Sequence, residues 1–465
     1  MAEVEIVEIC KVVPSKPSSL DHSTTPNFLP PTFFDIRWLR LPPIQTLLFY
    51  QLSTPKPFFD SILPRLKDSL SLTLHHFLPL AGTLTWTETS NRPFIQHLEG
   101  DSVSLTVAKS NADFFHLSGN HVFCEAKSYH PLVPNLEMSH QRTASLALQV
   151  TLFPNHGFSL GLTMNPAILD GQTFSLFIKS WAFICKSLEE TQITNGYIPL
   201  SPELEPFYDR SQIKDPVGLE EHYTNQWLSL DGPNNKSLIL WERKVPPDAV
   251  RGTFILTRAK LETLRKLAKD NHTIRVSTFS LACAYTWVCL VKAEDISNEQ
   301  VHLVLNVDCR SRLEPPLPPT YFGKCIRPIC LSAETKSLKG KHGLVLALKT
   351  IAEGIKSLEK GILNGAENWL SMLTSFLGNS SSVRSRVYSV AASPRLGIYS
   401  ADFGWGRPRK VDYVSIDSTG AISVSENVNG DGGVEIGLAL KKHHMEAFAS
   451  LFFHGLDAVN WNSKL

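Results

Sequence analysis

The spacing of hydrophobic residues in the first half of the chain predicts strands and helices in alternation. Glutamate alternates with valine and isoleucine over residues 1–12, which is typical of a strand. Apolar runs at 146–153 and 158–164 are separated by a Pro-Asn-His-Gly turn and predict two further strands. Two helices are predicted from apolar residues spaced along one face, at 57–76 (Phe58, Ile62, Leu66, Leu70) and at 172–187 (Phe174, Phe177, Ile178, Trp181).

The second half repeats this alternation after a polar, proline-rich stretch. Helical patterns are predicted at 258–269, 277–292, 342–358 and 441–456, and strand patterns at 301–307, 383–391, 410–416, 421–425 and 433–440. The stretch itself has no sustained period and predicts a long crossover. We therefore expect an N-terminal domain over 1–190, a linker over 191–240 and a C-terminal domain over 241–465. Glycine-rich phosphate loops are missing from the alternation, which argues against a nucleotide-binding βαβ fold.

Composition narrows the class of partner. The chain has 465 residues, of which 43% are hydrophobic, and a formal net charge of +1 with no long run of either sign. This balance argues against nucleic acid or an anionic membrane as the main partner. The eight cysteines show neither paired nor regular spacing, so we expect no metal site and no disulfide framework.

The two ends of the chain bear on its localisation. The strand pattern at the N-terminus is unlike the apolar segment of a signal peptide, and no window reaches the ~18 consecutive apolar residues of a membrane-spanning helix. The last three residues, Ser463, Lys464 and Leu465, spell the peroxisomal import address. We expect a peroxisomal protein, with the cytoplasm as the alternative.

Five sequence motifs indicate a family. These are TFFDIRWL at 32–39, LHHFLPLAG at 74–82, YFGKC at 321–325, SPRL at 393–396 and DFGWG at 402–406. The last is specific, because it consists of low-frequency residues and is the second signature of the plant BAHD acyltransferases. The chain resembles that family over nearly its whole length, and the first motif resembles the clade that malonylates flavonoid and phenolic glucosides. In the third motif, Lys324 stands where the family has asparagine.

The resemblance implies an α/β fold of two similar mixed-sheet domains with a channel between them, and a monomer. In the family, the histidine of an H-x-x-x-D-G motif at the centre of the channel is the general base. Here the matching segment is TMNPAILDG at 163–171, which lies at a strand-to-helix junction and has Pro166 in the place of that histidine. Asp170 matches the structural aspartate, whose implied partner is Arg310 or Arg312.

Proline has neither a titratable group nor a backbone N–H, so Pro166 cannot serve as a base. The adjacent Asn165 can form hydrogen bonds but is not a base either. His156 lies a whole strand away at the turn, while His75 and His76 lie in a helix-end motif where packing is the favoured role.

Other residues are candidates for contact with coenzyme A. Ser277 opens a helix, where it predicts an N-cap or a phosphate contact. Ser393 and Arg395 predict contact with coenzyme A or an acidic acyl group, with a surface salt bridge as the alternative. The resemblance implies that Asp402, Gly404 and Trp405 shape the coenzyme side of the channel as scaffold residues.

Three functions remain open. The first is transfer of a malonyl or similar group from acyl-CoA, as co-substrate rather than resident cofactor, to a hydroxyl or amine of a phenolic glycoside, amine or alkaloid. The second is lyase or cyclisation chemistry without coenzyme A in the same channel. The third is non-catalytic binding of such molecules.

Overall fold

The computed structural model describes residues 3–16, 25–52, 57–121, 123–190, 197–268, 276–377 and 386–462. The C-terminal tripeptide that predicts peroxisomal import lies outside these ranges. Within them, no helix is long and apolar enough to cross a membrane.

Strands run through both halves of the described chain. They are β1 (Val4–Val12), β2 (Phe28–Leu29), β3 (Ile44–Gln51), β4 (Thr83–Thr85), β5 (Phe94–Gln96), β6 (Val103–Ser110), β7 (Cys124–Glu125), β8 (Arg142–Ala144), β9 (Leu146–Phe153), β10 (Gly157–Met164), β11 (Ala249–Leu256), β12 (Gln300–Asp308), β13 (Ile326–Glu334), β14 (Arg386–Ala391), β15 (Lys410–Tyr413), β16 (Ile422–Glu426) and β17 (Val434–Lys441).

The α-helices alternate with these strands. They are α1 (Phe33–Ile36), α2 (Leu63–His76), α3 (Leu78–Ala81), α4 (Phe114–Leu117), α5 (Gly171–Glu190), α6 (Leu219–Ser229), α7 (Arg258–Ala268), α8 (Thr278–Ala293), α9 (Thr335–Lys339), α10 (Gly343–Lys356), α11 (Trp369–Leu377), α12 (Ile416–Thr419) and α13 (Lys442–Asn462). A π-helical turn, Phe58–Ile62, leads into α2.

Two large mixed sheets organise the fold. The first has the order β1-β6-β9-β10-β3-β15, the second β13-β12-β14-β16-β17-β11-β7, and a smaller sheet has the order β2-β5-β4-β8. Each large sheet has its own hydrophobic core, one around β3, α2 and α5 and the other around α8, β12 and α13. The two-domain α/β architecture predicted from the sequence is thereby confirmed.

Each large sheet includes one short strand from the other half of the sequence. The strand β15 pairs with β3 in the first sheet, and β7 pairs with β11 in the second. The predicted linker contains a helix, α6, whose Tyr223 and Trp227 are buried. The two sheets are therefore connected by the exchanged strands as well as by the linker segment.

Most predicted elements are confirmed with bounds shifted by a few residues. Strands β3, β6, β11 and β13 and helices α6 and α11 lie in stretches for which no element was predicted. The strand β3 is a short apolar run buried on both faces between β10 and β15. Such a run has no alternation to distinguish it from a buried helix segment, and its burial depends on strands distant in sequence.

Candidate active site

A cavity of about 1610 Å³ lies between the two halves, and we call it the central cavity. The first half lines it with the end of β10, the start of α5 and the segment after α1. The second half contributes β12, the end of β14 and the N-terminus of α8. The altered motif at 163–171 therefore lies on the wall of the channel that the resemblance implied.

Pro166 lines the central cavity on the tight loop that joins β10 to α5. The side-chain oxygen of Asn165 accepts the N–H of Ala167 at 2.9 Å, and its carbonyl accepts the N–H of Ile168 at 3.2 Å. These bonds close a turn with Pro166 at its cavity face. Asn165 is buried outside the cavity lining, and its Nδ2 has no hydrogen-bond partner among the described residues.

Asp170 is held from two sides. It accepts the N–H of Thr173 at 3.0 Å, which caps α5, and Arg310 donates to both carboxylate oxygens, at 2.8 and 3.0 Å. Burial is the largest single influence and raises the pKa of Asp170, but the charge and hydrogen bonds of Arg310, together with the N–H of Thr173 and the charge of Lys324, hold that pKa below its ordinary value. This confirms Arg310 as the ion-pair partner, whereas Arg312 is exposed. Asp170 is therefore an ionised positioning residue rather than a base.

The YFGKC segment docks directly on this ion pair. The carbonyl of Gly323 accepts from Arg310 at 3.0 Å, and the N–H of Cys325 donates to Asp170 at 3.0 Å. Between them, the N–H of Lys324 donates to Asp35 at 2.9 Å. The Lys324 side chain is buried, lines the central cavity and places its Nζ 4.0 Å from the centre of the Trp38 ring. The departure from the family asparagine therefore faces the channel.

Three of the predicted coenzyme-contacting residues line the cavity. Ser277 is the N-cap of α8, where its Oγ accepts the N–H of Ser280 at 3.0 Å. Ser393 and Arg395 lie on the loop after β14, with Arg395 exposed at the cavity rim. Their contact with coenzyme A stays a prediction.

The DFGWG segment lies away from the central cavity. The carboxylate of Asp402 accepts the N–H groups of Gly404 and Gly406, both at 2.9 Å. Trp405 packs against Arg65, whose Cζ lies 4.0 Å from the ring centre. These contacts tie the segment to helix α2, and none of Asp402, Gly404 and Trp405 lines the cavity.

The histidines considered as replacements for the base are remote from Pro166. His156 is exposed at the opposite end of β10, so eight strand residues, or roughly 27 Å, separate it from the altered motif. His75 and His76 are buried outside the cavity lining, and the Nε2 of His76 lies 2.9 Å from the carbonyl of Ile198. His302 does line the cavity, but at the far end of β12 from Asp308.

Positive charge dominates the cavity lining. Seven lining residues are cationic, namely Arg37, Arg243, Arg310, Arg312, Lys324, Arg386 and Arg395. The two acidic ones are Asp170 and Asp308, and both contact Arg310. This excess contrasts with the net charge of +1 for the whole chain. Among the described residues, no group of three histidine, cysteine or acidic side chains is placed to hold a metal ion.

Comparison with known proteins identifies the family. A sequence profile of the Transferase family matches residues 2–454. The chain belongs to this family, the BAHD acyltransferases. It is 38% identical to phenolic glucoside malonyltransferase 1 of Arabidopsis thaliana over 98% of both chains. It is 40% identical to the malonyl-CoA:anthocyanidin 5-O-glucoside-6''-O-malonyltransferase of the same plant, again over 98% of both.

The fold of this BAHD chain also matches a solved structure. Vinorine synthase superposes with a TM-score of 0.68 at 21% identity, covering 97% of this chain and 98% of its own. At that identity the likeness concerns the fold alone. The chain is an acyltransferase of the BAHD family, and the clade suggested by TFFDIRWL is the one in which its malonyltransferase relatives fall.

Sequence reasoning missed the buried cations of the site. Arg37 and Lys324 are both largely buried and line the cavity. In the sequence, Lys324 is visible only as the departure from the family motif in the YFGKC segment, and Arg37 only as one residue of TFFDIRWL. Their signal is a cation inside an otherwise apolar motif, where a charge is unexpected unless it has a partner or a role.

Proposed function

We propose that the protein transfers an acyl group, with malonyl as the first choice, from coenzyme A to a hydroxyl or amine of a phenolic glycoside or a related acceptor. The observation that carries this proposal is the cationic lining of the central cavity. Malonyl-CoA is a polyanion, because its donor carries phosphates and its acyl group a carboxylate. The two malonyltransferase relatives supply the acyl group and the phenolic class of acceptor.

The rim of the cavity suits the phosphates of coenzyme A. Arg243, Arg312 and Arg395 are exposed there, and each lines the cavity. No hydrogen bond or ion pair joins these three guanidinium groups to a carboxylate among the described residues. The N-terminus of α8, with Ser277 as its cap, opens into the same space and favours negative charge.

Acyl transfer then requires the acceptor oxygen or nitrogen to attack the thioester carbonyl. A bond forms from the acceptor to the carbonyl carbon, the bond from carbon to sulfur breaks, and the acceptor proton ends on the thiol of coenzyme A. Holding donor and acceptor together in one cavity contributes to the rate without any base. We assign Pro166 to the position of the family base, where it leaves this proton without its usual carrier.

Product formation tests the proposal. The wild type and P166H are each incubated with malonyl-CoA, acetyl-CoA and a panel of phenolic glucosides and amines, and the products are followed by mass spectrometry. We expect malonylated product from both proteins, with malonyl-CoA preferred over acetyl-CoA. A further variant, R312A/R395A, tests the role of the rim. It removes two rim cations and should raise the KM for both donors.

Failure of the wild type to acylate any acceptor would overturn the proposal, provided that the protein unfolds cooperatively. Conversion of an acceptor-class compound without any donor present would instead favour the chemistry without coenzyme A.

A further inference from the structure

We propose that Lys324 is the proton carrier of this site and performs at the cavity wall the role that Pro166 cannot perform. The inference rests on the proposed function and deepens it. It names the residue that receives the acceptor proton and returns it to the leaving thiolate.

The Lys324 backbone is fixed beside the altered motif. Its two neighbours bond to the two partners of one ion pair, Gly323 to Arg310 and Cys325 to Asp170. Asp170 lies four residues after Pro166 on the same loop, and both line the central cavity with Lys324. The motif and the lysine are therefore attached to one rigid, buried cluster, which is how a catalytic group is kept in position.

Within the part of the chain that the structure describes, the amine of Lys324 has no polar partner. Its Nζ makes no hydrogen bond within the described residues and lies over the face of the Trp38 ring, 4.0 Å from the ring centre. Lys410 is equally buried, yet its Nζ donates to Asn120 at 2.6 Å and to Thr253 at 2.8 Å. A structural buried lysine is satisfied in this way, whereas Lys324 keeps its donor capacity and its lone pair for whatever occupies the cavity.

Burial brings the pKa of this amine into the range that suits proton transfer. Burial lowers the pKa of Lys324 to about 8, against the raising effect of Asp170 and Asp35 and with the further lowering effect of Arg37 and Arg310. At pH 7.5 about a quarter of such a group is neutral, and a base is most effective when its pKa lies near the working pH.

Other titratable groups of the cavity do not compete. Asp170 is ionised and, like Asp308, is paired with Arg310. His302 is separated from Asp308 by six residues of β12, or roughly 20 Å. Burial raises the pKa of Tyr413 well above its ordinary value, so it is neutral and not a base. Among the described residues that line the cavity, Lys324 is the remaining group beside the altered motif that changes protonation near neutral pH.

The step balances without any other reactant. Neutral Nζ accepts the proton of the acceptor hydroxyl as the oxygen attacks the thioester carbonyl. The tetrahedral intermediate collapses, and the thiolate of coenzyme A leaves. The Lys324 ammonium then donates the proton to the thiolate sulfur, so that a thioester and an alcohol give an ester and a thiol, with the amine regenerated.

The test compares four proteins in acyl transfer from malonyl-CoA and from acetyl-CoA across pH 6–10. These are the wild type, K324M, K324R and P166H/K324M, with H302Q as the control, because His302 is a titratable side chain that lines the cavity away from the altered motif. We expect kcat/KM of the wild type to rise with pH, with an apparent pKa of about 8. We call this rise the limb of the pH profile, and H302Q should keep it. K324M and K324R should each lose about 10²–10⁴-fold with both donors, since arginine keeps the charge but is not a base.

In P166H/K324M we expect activity to return with the limb moved to near pH 6.5, the ordinary range of histidine. Retention of wild-type activity and of the limb near pH 8 in K324M would overturn the inference. A loss in K324M confined to malonyl-CoA, and spared in K324R, would overturn it in favour of a contact with the acyl carboxylate. Activity in P166H/K324M but not in the wild type would overturn both the inference and the proposed function of the wild type. No activity in any of the proteins would refute the proposed function itself.

Discussion

Asp170 and Arg310 face each other through two hydrogen bonds of 2.8 and 3.0 Å, and both side chains are almost fully buried. The pair joins the loop that carries Pro166 to the YFGKC segment of the other half of the sequence. It thereby fixes the cavity wall although it carries no reactive group of its own.

Removal of the Asp170 carboxylate should destabilise the fold strongly. In D170A, Arg310 keeps a buried charge without its main partner, which costs about 3–5 kcal/mol of unfolding free energy. Urea denaturation at pH 7 measures this change. The matched control is D308A, because Asp308 contacts the same guanidinium at 3.0 Å but is half exposed. We expect D308A to change the unfolding free energy by about 1 kcal/mol or less. Equal losses in the two variants would contradict this role of Asp170.

Lys324 should make stability depend on alkaline pH. Its pKa is about 8 in the folded protein against an ordinary value of 10.5, so the unfolded chain binds more protons between these values. The free energy of unfolding therefore increases as pH rises from about 8 to 10.5. Below pH 8 the cost of burying the charged amine is fully present.

K324M lacks this ionisation and serves as the comparison for the pH effect. At pH 7 it should be more stable than the wild type by about 3 kcal/mol, and the difference should shrink as pH rises through the window above. Urea unfolding of both proteins at pH 7, 8.5 and 10 measures it. A difference that stays constant over this range would show that Lys324 is not a buried cation in solution.

Trp405 should contribute to the stability of the fold rather than to binding of the acyl donor. Its ring packs against Arg65, and the Nη2 of Arg65 also donates to the carbonyl of Phe403 at 3.1 Å. We expect W405A to lower the unfolding free energy by about 1–3 kcal/mol and to leave the KM for malonyl-CoA within about twofold. A tenfold rise in that KM with unchanged stability would instead place Trp405 at the coenzyme.

The rim cations should act through the donor and respond to salt. R312A and R395A should each raise the KM for malonyl-CoA by about two- to fivefold at low ionic strength, and the effect should fade at about 0.5 M salt because exposed charges are screened. Steady-state kinetics at two salt concentrations measure it. K360A removes an exposed charge outside the cavity lining and is the control. The same rise in K360A would show that general charge, rather than the rim, attracts the donor.

The sequence is most informative at the altered motif, which indicates both the family and the position of the site in the fold. The spacing of Pro166 and Asp170 between a strand and a helix placed both residues on one junction, and the structure confirms that junction. The partner of Asp170 was narrowed to two arginines, and packing selects Arg310 because it is the one that is buried.

The orientation of Lys324 could not be obtained from the sequence. Its position depends on two hydrogen bonds to distant carboxylates. The N–H of Lys324 donates to Asp35, 289 residues away, and the N–H of Cys325 donates to Asp170, 155 residues away. Hydrophobic periodicity reports which face of one element is buried, but not which distant element covers it. That the Lys324 amine has no hydrogen-bond partner among the described residues follows from this three-dimensional arrangement alone.

Transfer of an acyl group from coenzyme A in the central cavity can be measured in a single turnover. Wild-type protein in excess is mixed with malonyl-CoA and a phenolic glucoside, and the released thiol and the malonylated product are measured together. We predict that both accumulate in equal amounts, and that neither forms when the acceptor is left out. If the protein binds malonyl-CoA but leaves it intact with every acceptor, the cavity does not transfer the acyl group.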